Sequence, residues 1–388
     1  MFLKSLTGEF PQIRLDAVSS NPAAKFGFQV NNELQLLDNL VILGDGTQDF
    51  AINGQIRDYY EPRAPNMVLP MHDVIKMGTS RVTLTGNNTF GGALSVLGGE
   101  VVVSGPSAAL NGPSSILIGS EGKLTFNSGT ISVPNLQIES GGSFDFSGGL
   151  LKTSNVQGTL LNNGGTFSPG ASAAASRIEG HFIQLAGTLQ IELGGISPGN
   201  EFDTLFVTGG ALLDGTLQVL LLPGFQPGLG NAFQFLTAAG GRNGTFDNAL
   251  LPGLTGGRTW NLLYGTNSVA LYVGPAGGIG TVLPGDFNQD GTVDGADYTV
   301  WRDAIGQSSG VINVVPGTGA DGSFDGQITA ADYVVWRSMF GFSRTAGGFA
   351  SFTAVPEPST AALFAAEVML VGAFVRRRRP RRPQSQVV

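Results

Sequence analysis

Leu94-Ser-Val-Leu-Gly-Gly-Glu-Val-Val-Val-Ser-Gly105 holds two short alternating apolar runs, parted by Gly98-Gly99 and closed by Gly105. Alternation of period two is the pattern of a strand with one buried face. The same phrase returns in Ile116 to Gly129, Leu136 to Gly149, Val156 to Gly170, Phe182 to Gly195 and Leu205 to Leu221, with starts 20 to 26 residues apart. A unit this short cannot bury its own apolar face, so successive units must stack and cover one another. Glycine at the ends of each phrase suits tight corners. The expected fold is mainly β: a right-handed parallel β-helix, or solenoid, over residues 76–199.

Outward from this region the phrase loosens. Residues 1–75 read as an irregular start holding incomplete first β-coils, with a proline-bearing loop from Asp58 to Met71. Residues 200–274 keep strand-like runs at Asp203 to Val207, Leu217 to Leu222, Phe233 to Leu236, Thr259 to Tyr264 and Ser268 to Val273. These form either a β-rich C-terminal cap or a small β-sandwich continuous with the coils. Near the front, Arg81-Val-Thr-Leu-Thr-Gly86-Asn87-Asn88-Thr89-Phe90-Gly91-Gly92, followed by Gly98-Gly99-Glu-Val-Val-Val-Ser-Gly105, resembles the autotransporter-associated β-strand repeat. That resemblance covers about residues 76–105 and implies an extracellular β-helix without catalytic residues. Asn87 and Asn88 read as turn and ladder residues.

After a Gly-rich linker at 275–282 the text changes character. Asp286-Phe-Asn288-Gln-Asp290-Gly291-Thr292-Val-Asp294-Gly-Ala-Asp297 and Asp321-Gly-Ser323-Phe-Asp325-Gly326-Gln327-Ile-Thr329-Ala-Ala-Asp332 are one loop written twice, 35 residues apart. Oxygen-bearing side chains stand at positions 1, 3, 5, 7, 9 and 12, with glycine at position 6. This is the spacing by which an EF-hand-type loop surrounds a hard, oxygen-seeking calcium ion. Tyr298, Trp301 and Ile305 follow the first loop and Tyr333, Trp336 and Phe340 the second, in steps of three and four that mark one face of a short helix.

Residues 283–341 resemble the type I dockerin, a small α-helical module of two calcium loop-helix units. The resemblance implies two calcium ions and a cohesin-like partner. Family members contact that partner through loop positions 10 and 11, often a hydroxyl pair. Here those positions are Gly295 and Ala296 in one copy and Ala330 and Ala331 in the other. Ser323 and Thr329 replace Asn288 and Asp294 in the second copy, removing one carboxylate, so the first site is expected to bind calcium more tightly.

A second linker, 342–354, leads to Val355-Pro356-Glu357-Pro358-Ser359, an apolar run from Ala361 to Val375, and Arg376, Arg377, Arg378 and Arg379 with Arg381 and Arg382. The order of short motif, hydrophobic helix and basic stop resembles the PEP-CTERM sorting signal over residues 355–388. It implies an exosortase-type processing enzyme and membrane tethering before processing. Arginines held on the cytoplasmic side obey the positive-inside bias. The run of 15 residues, with Glu367 inside it, is short of the roughly 20 that span a bilayer, which suits a segment destined for removal.

Composition bounds the function further. The 388 residues include 59 glycines and no cysteine, and 13% are charged. This suits short strands and tight turns and excludes disulfide frameworks and thiolate metal sites. Net charge is −8, and without the six arginines after Val375 the remaining 15 basic and 29 acidic residues give −14. So acidic a body excludes nucleic acid as a partner. Met1-Phe-Leu-Lys-Ser-Leu-Thr-Gly-Glu9 lacks an apolar signal core, at odds with export, so the true start is expected upstream.

No catalytic constellation emerges. Between residues 78 and 275 the acids are scattered, and the one close pair, Glu201 and Asp203, reads as a solvated turn. His72 and His181 lie far apart, with His181 read as an exposed strand residue, and no Gly-x-Ser-x-Gly elbow or phosphate loop has its required context. The expectation is a secreted, cell-surface or matrix-associated structural and adhesive protein rather than an enzyme. A polysaccharide-binding or polysaccharide-degrading component recruited through the calcium module is the alternative.

Overall fold

Alternating apolar residues that recur every twenty-odd positions end up above one another. In the computed structural model, which describes residues 2–3, 10–15, 28–47, 50–60, 70–279, 282–306 and 312–343, Leu40, Val74, Leu94, Ile116, Leu136, Val156, Ile178, Val207 and Ala238 form one column. Each is paired in parallel register with the next, and none is more than 1% exposed. A second column, Ile52, Leu84, Val103, Phe126 and Phe146, runs beside it. Phe126 and Phe146 stack with centroids 5.6 Å apart and planes 8° from parallel. Each fully buried side chain of this size contributes about 1.5–3 kcal/mol relative to exposure, so the stack is held by its repeat.

Corners need backbone that side-chain-bearing residues resist. Gly129 (φ 96°) and Gly149 (φ 79°) precede Thr130 and Leu150, which pair in adjacent turns of the stack. A Cβ on Gly129 would lie 2.1 Å from the Ala108 carbonyl oxygen, so both the left-handed dihedral and the space require glycine. Buried polar groups are used locally. Asn88 accepts from Ile56 N–H (3.0 Å) and donates to the Gly86 and Ala109 carbonyls. Asn87 is exposed beside Asn111.

Parallel pairing begins before Lys76 and continues past Gly199. Gln12–Arg14 pairs with Leu40–Leu43, and Thr216–Leu221 pairs with both Phe182–Leu193 and Asn248–Leu250. Among the described strands of the stack, antiparallel pairing appears at its end. There Ala232–Ala238 pairs in parallel with Thr204–Val207 and antiparallel with Ser268–Gly274, which in turn pairs antiparallel with Thr259–Tyr264. Strands dominate the described residues, and two helices follow: α1 (Gly295–Gly306) and α2 (Ala330–Met339).

The helices are not a bead on a string. Residues 1–345 form one unit, and Ile279, within the segment read as a linker, is buried in a core shared by the last strands and the helical module. Among the described residues no helix is long and apolar enough to cross a membrane. The hydrophobic helix and sorting motif expected at 355–388 lie outside the described residues.

Candidate metal centre

Both loops fold by the same rule, in which carboxylates at fixed positions accept N–H groups of their own loop. At position 1, Asp286 accepts from Asp290 N–H and Gly291 N–H (3.1 and 2.9 Å), and Asp321 accepts from Asp325 N–H and Gly326 N–H (3.2 and 2.9 Å). At position 5, Asp290 and Asp325 accept from Thr292 and Gln327 N–H. Asp297, at position 12, ties Asn288 N–H to Asp294 N–H (3.0 and 2.8 Å), as Asp332 ties Ser323 N–H to Thr329 N–H (2.9 and 2.7 Å). Asp294 and Thr329, at position 9, accept from Ala296 and Ala331 N–H at the helix starts, and Thr329 with Asp332 makes a full capping box on α2.

Backbone shape repeats as well. Gln289 (φ 61°) and Phe324 (φ 60°) occupy position 4 of their loops and are the non-glycine residues with left-handed dihedrals among the described residues. Gly291 (φ 91°) and Gly326 (φ 82°) follow at position 6. A bulky residue in that region is unfavourable unless the surrounding loop holds it there. Sequence reading predicts the glycine but has no signal for Gln289 or Phe324.

The two halves are cross-wired. Trp301 of α1 donates its Nε1–H to the Thr329 carbonyl of the second loop (2.8 Å), and Trp336 of α2 donates to the Asp294 carbonyl of the first (2.7 Å). Tyr298, Trp301, Tyr333 and Trp336 pack as a ring cluster with centroids 5.2–6.1 Å apart. Phe340, expected on the same helical face, lies beyond α2 and is 53% exposed. The residues of α2 that enter the shared core are Val335 and Met339 instead.

Among the described residues no three acidic or histidine side chains close on one point as a ready-made cation cage. The donor set nevertheless fits a hard cation. Asp297 and Asp332 are fully buried and Asp321 is 2% exposed, and among the described residues no lysine or arginine forms an ion pair with them. Burial pushes the Asp286 carboxyl above its ordinary range, with Asp297 and Asp290 adding repulsion. Burial likewise raises Asp332, with Asp321 adding to it. A cluster of oxygens whose ionisation is opposed by both effects is stabilised by a bound divalent ion. Thr292 turns its hydroxyl to Ser343 Oγ (3.2 Å), and position 7 of an EF-hand-type loop contributes its backbone carbonyl. A cleft of about 280 Å³ opens between the loops, lined by Asp286, Gln289 and Asp321 among others.

Other sequence candidates separate. Asp203 is not solvated: it is fully buried, accepts from Ala174 N–H (3.0 Å) and Glu192 N–H (2.7 Å), and joins two turns of the stack. Glu201, exposed to solvent in the turn, accepts from Ile196 and Ser197 N–H. His181 stands half-buried just before the strand Phe182–Leu193, with Nδ1 accepting from Gly210 N–H (2.9 Å). His72 contacts Asp58 at 3.0 Å. One carboxylate pair escaped sequence reading. Asp214 and Asp247, 33 residues apart, share a hydrogen bond that raises Asp247, because the strands that follow them are neighbours.

Comparison with known families agrees with this geometry. Residues 284–337 match the dockerin type I domain, a class that binds calcium and pairs with cohesin partners. No curated protein matched the chain.

Proposed function

We propose that the protein is a secreted, surface- or matrix-associated structural and adhesive β-solenoid, not an enzyme, whose dockerin-like module is stabilised by two calcium ions and mediates assembly. The observation that carries this reading is that the carboxylates at positions 1, 5 and 12 accept from the same N–H groups in both loops. A loop merely tolerated in solvent has no reason to be built twice to the same plan.

Asp286, Asn288, Asp290 and Asp297, with the Thr292 carbonyl, would hold one ion. Asp321, Ser323, Asp325 and Asp332, with the Gln327 carbonyl, would hold the other. Bound calcium supplies positive charge against which seven loop carboxylates can pack, so binding is coupled to folding of the module. The protein's own part is to aim those oxygens inward through the N–H bonds of each loop and to lock one loop to the other through Trp301 and Trp336.

In this reading residues 76–105 are an autotransporter-type repeat, and residues 355–382 are the PEP-CTERM signal read by an exosortase-type enzyme at the membrane. A cohesin-like domain is the partner, meeting the exposed Gly295, Ala296, Ala330 and Ala331. Extracellular polysaccharide is the alternative ligand. Calcium titration calorimetry on the full-length protein tests the centre, with circular dichroism in calcium and in chelator. Two binding events with gain of helix are expected; absence of heat and unchanged helix content would sink the reading.

A further inference from the structure

A strand at the end of a stack has one face on the core and nothing to cover the other. Ser268–Gly274 nevertheless has all seven residues buried. Val269, Leu271 and Val273 face the core of the β-stack. Ala270 and Tyr272 face the opposite way, into a second core with Leu283, Val293, Phe324, Val335, Met339 and Phe342 of the calcium module.

Polar contacts fasten the same junction. Tyr272 Oη donates to the carbonyl of Gly322 (2.6 Å), position 2 of the second loop, in a buried hydrogen bond. Thr266 N–H donates to the Ser343 carbonyl (3.0 Å). A Cβ on Gly230, ahead of the strand Ala232–Ala238, would lie 3.0 Å from Ser323 at position 3. The two loops are therefore unequal. Asp321, Gly322, Ser323 and Phe324 are buried, whereas Asn288, Gln289 and Asp290 of the first loop are exposed.

We infer that the calcium module is the lid of the β-stack, and that cation binding at the second loop is linked to the stability of the strand Ser268–Gly274. The inference rests on the calcium reading above. Asp321 and Asp332 are buried in the loop whose Gly322 and Phe324 meet Tyr272. Without a cation, buried like charges strain the loop segment on which Tyr272 is anchored. Linkage is reciprocal, so whatever the ion adds to the strand the strand returns as affinity for the ion. The two pairs of small residues at positions 10 and 11 stay exposed, which lets one module cap its own chain and still meet a partner.

Hydrogen exchange on the full-length protein, in calcium and in EDTA, tests this alongside calorimetry. Amides of 268–274 and 232–238 are expected to exchange at least about tenfold faster in EDTA, while those of 116–126, deep in the stack, keep their rate. Calorimetric binding at both loops with unchanged protection of 268–274 overturns the linkage and leaves the calcium reading standing. Absence of binding overturns both. Tyr272→Phe keeps the ring and removes only the bond to Gly322. It is expected to weaken calcium several-fold at the second loop and leave the first unchanged, and wild-type affinity at both loops would overturn the linkage.

Discussion

Raising the pH from 4.5 to 7.5 is expected to destabilise the β-stack through one buried carboxyl. Two effects oppose each other at Asp203. Burial, the larger, favours the neutral acid, while the N–H groups of Ala174 and Glu192 favour the carboxylate. Together they push the group from 3.8 up to about 7. The folded chain then keeps a proton that the unfolded chain has released. Stability from this source is full below 3.8 and is lost as the pH climbs through about 7. A shift of about three units at roughly 1.4 kcal/mol each sets the full loss at about 4 kcal/mol, of which about 3 kcal/mol falls between pH 4.5 and 7.5. Urea unfolding of the full-length protein and of Asp203→Asn, at several pH values in saturating calcium, isolates the effect. The asparagine cannot titrate, and it offers one acceptor where two N–H groups point. The wild type should exceed the variant most at pH 4.5, with the gap narrowing as pH rises. A gap that is constant, or that widens with pH, would refute the reasoning, because it would mean that the two N–H bonds outweigh burial and keep Asp203 ionised throughout.

Three further outcomes are expected. Trp336→Phe removes the bond to the Asp294 carbonyl, costing about 1 kcal/mol, and should weaken calcium at the first loop several-fold. Trp301→Phe should do the same at the second loop, and calorimetry that shows each change confined to the helix's own loop contradicts the cross-wiring. Gly165→Ala drives a Cβ to 1.9 Å from the Phe146 ring and should cost at least about 1–3 kcal/mol by urea unfolding; a neutral result would mean the Phe column is loosely packed. Lys76 is fully buried, with Nζ donating to the Met77 and Gly98 carbonyls, and burial pulls it from 10.5 down to about 8. The folded chain sheds this proton first, so stability should rise between pH 8 and 10.5 by up to about 3 kcal/mol. That rise should be absent in Lys76→Met.

How legible this was depended on the range of the contacts. The column Leu94, Ile116, Leu136, Val156 was visible because each residue opens a repeat of the same phrase, and parallel register follows once phrases stack. The change of phrase at Gly199 was visible too, and parallel pairing runs on through it. Pairing depends on backbone continuity rather than on regular spacing, so longer turns between Ile178 and Val207 and between Val207 and Ala238 still return to the same column. In the calcium module the carboxylates that organise each loop could be read from position alone. The Trp301 and Trp336 bonds could not, since each reaches a carbonyl on the other half of the module. Asp203 was misread because an aspartate after Ser197-Pro-Gly-Asn-Glu201 carries the local marks of a turn, and its burial is set by strands 11 and 29 residues away.

The deepest miss was the junction between stack and module, and its logic bears on function. A stacked β architecture needs protected ends, because an uncovered terminal strand offers apolar surface and unpaired backbone to any similar chain. Here Ser268–Gly274 has reversed direction and is paired on both edges, with Ala232–Ala238 and Thr259–Tyr264, while a helical module covers its outer face through Val335 and Met339 of α2. The same helix begins with Ala330 and Ala331, which stay in solvent. One short helix thus carries a face for its own chain and, in the proposed reading, the alanines that meet a partner. Both depend on the loop that caps it through Thr329 and Asp332. If calcium orders that loop, it sets at once whether the stack is closed and whether the exposed alanines are presented in a fixed orientation. Outside a cell, where calcium is plentiful, both conditions hold together.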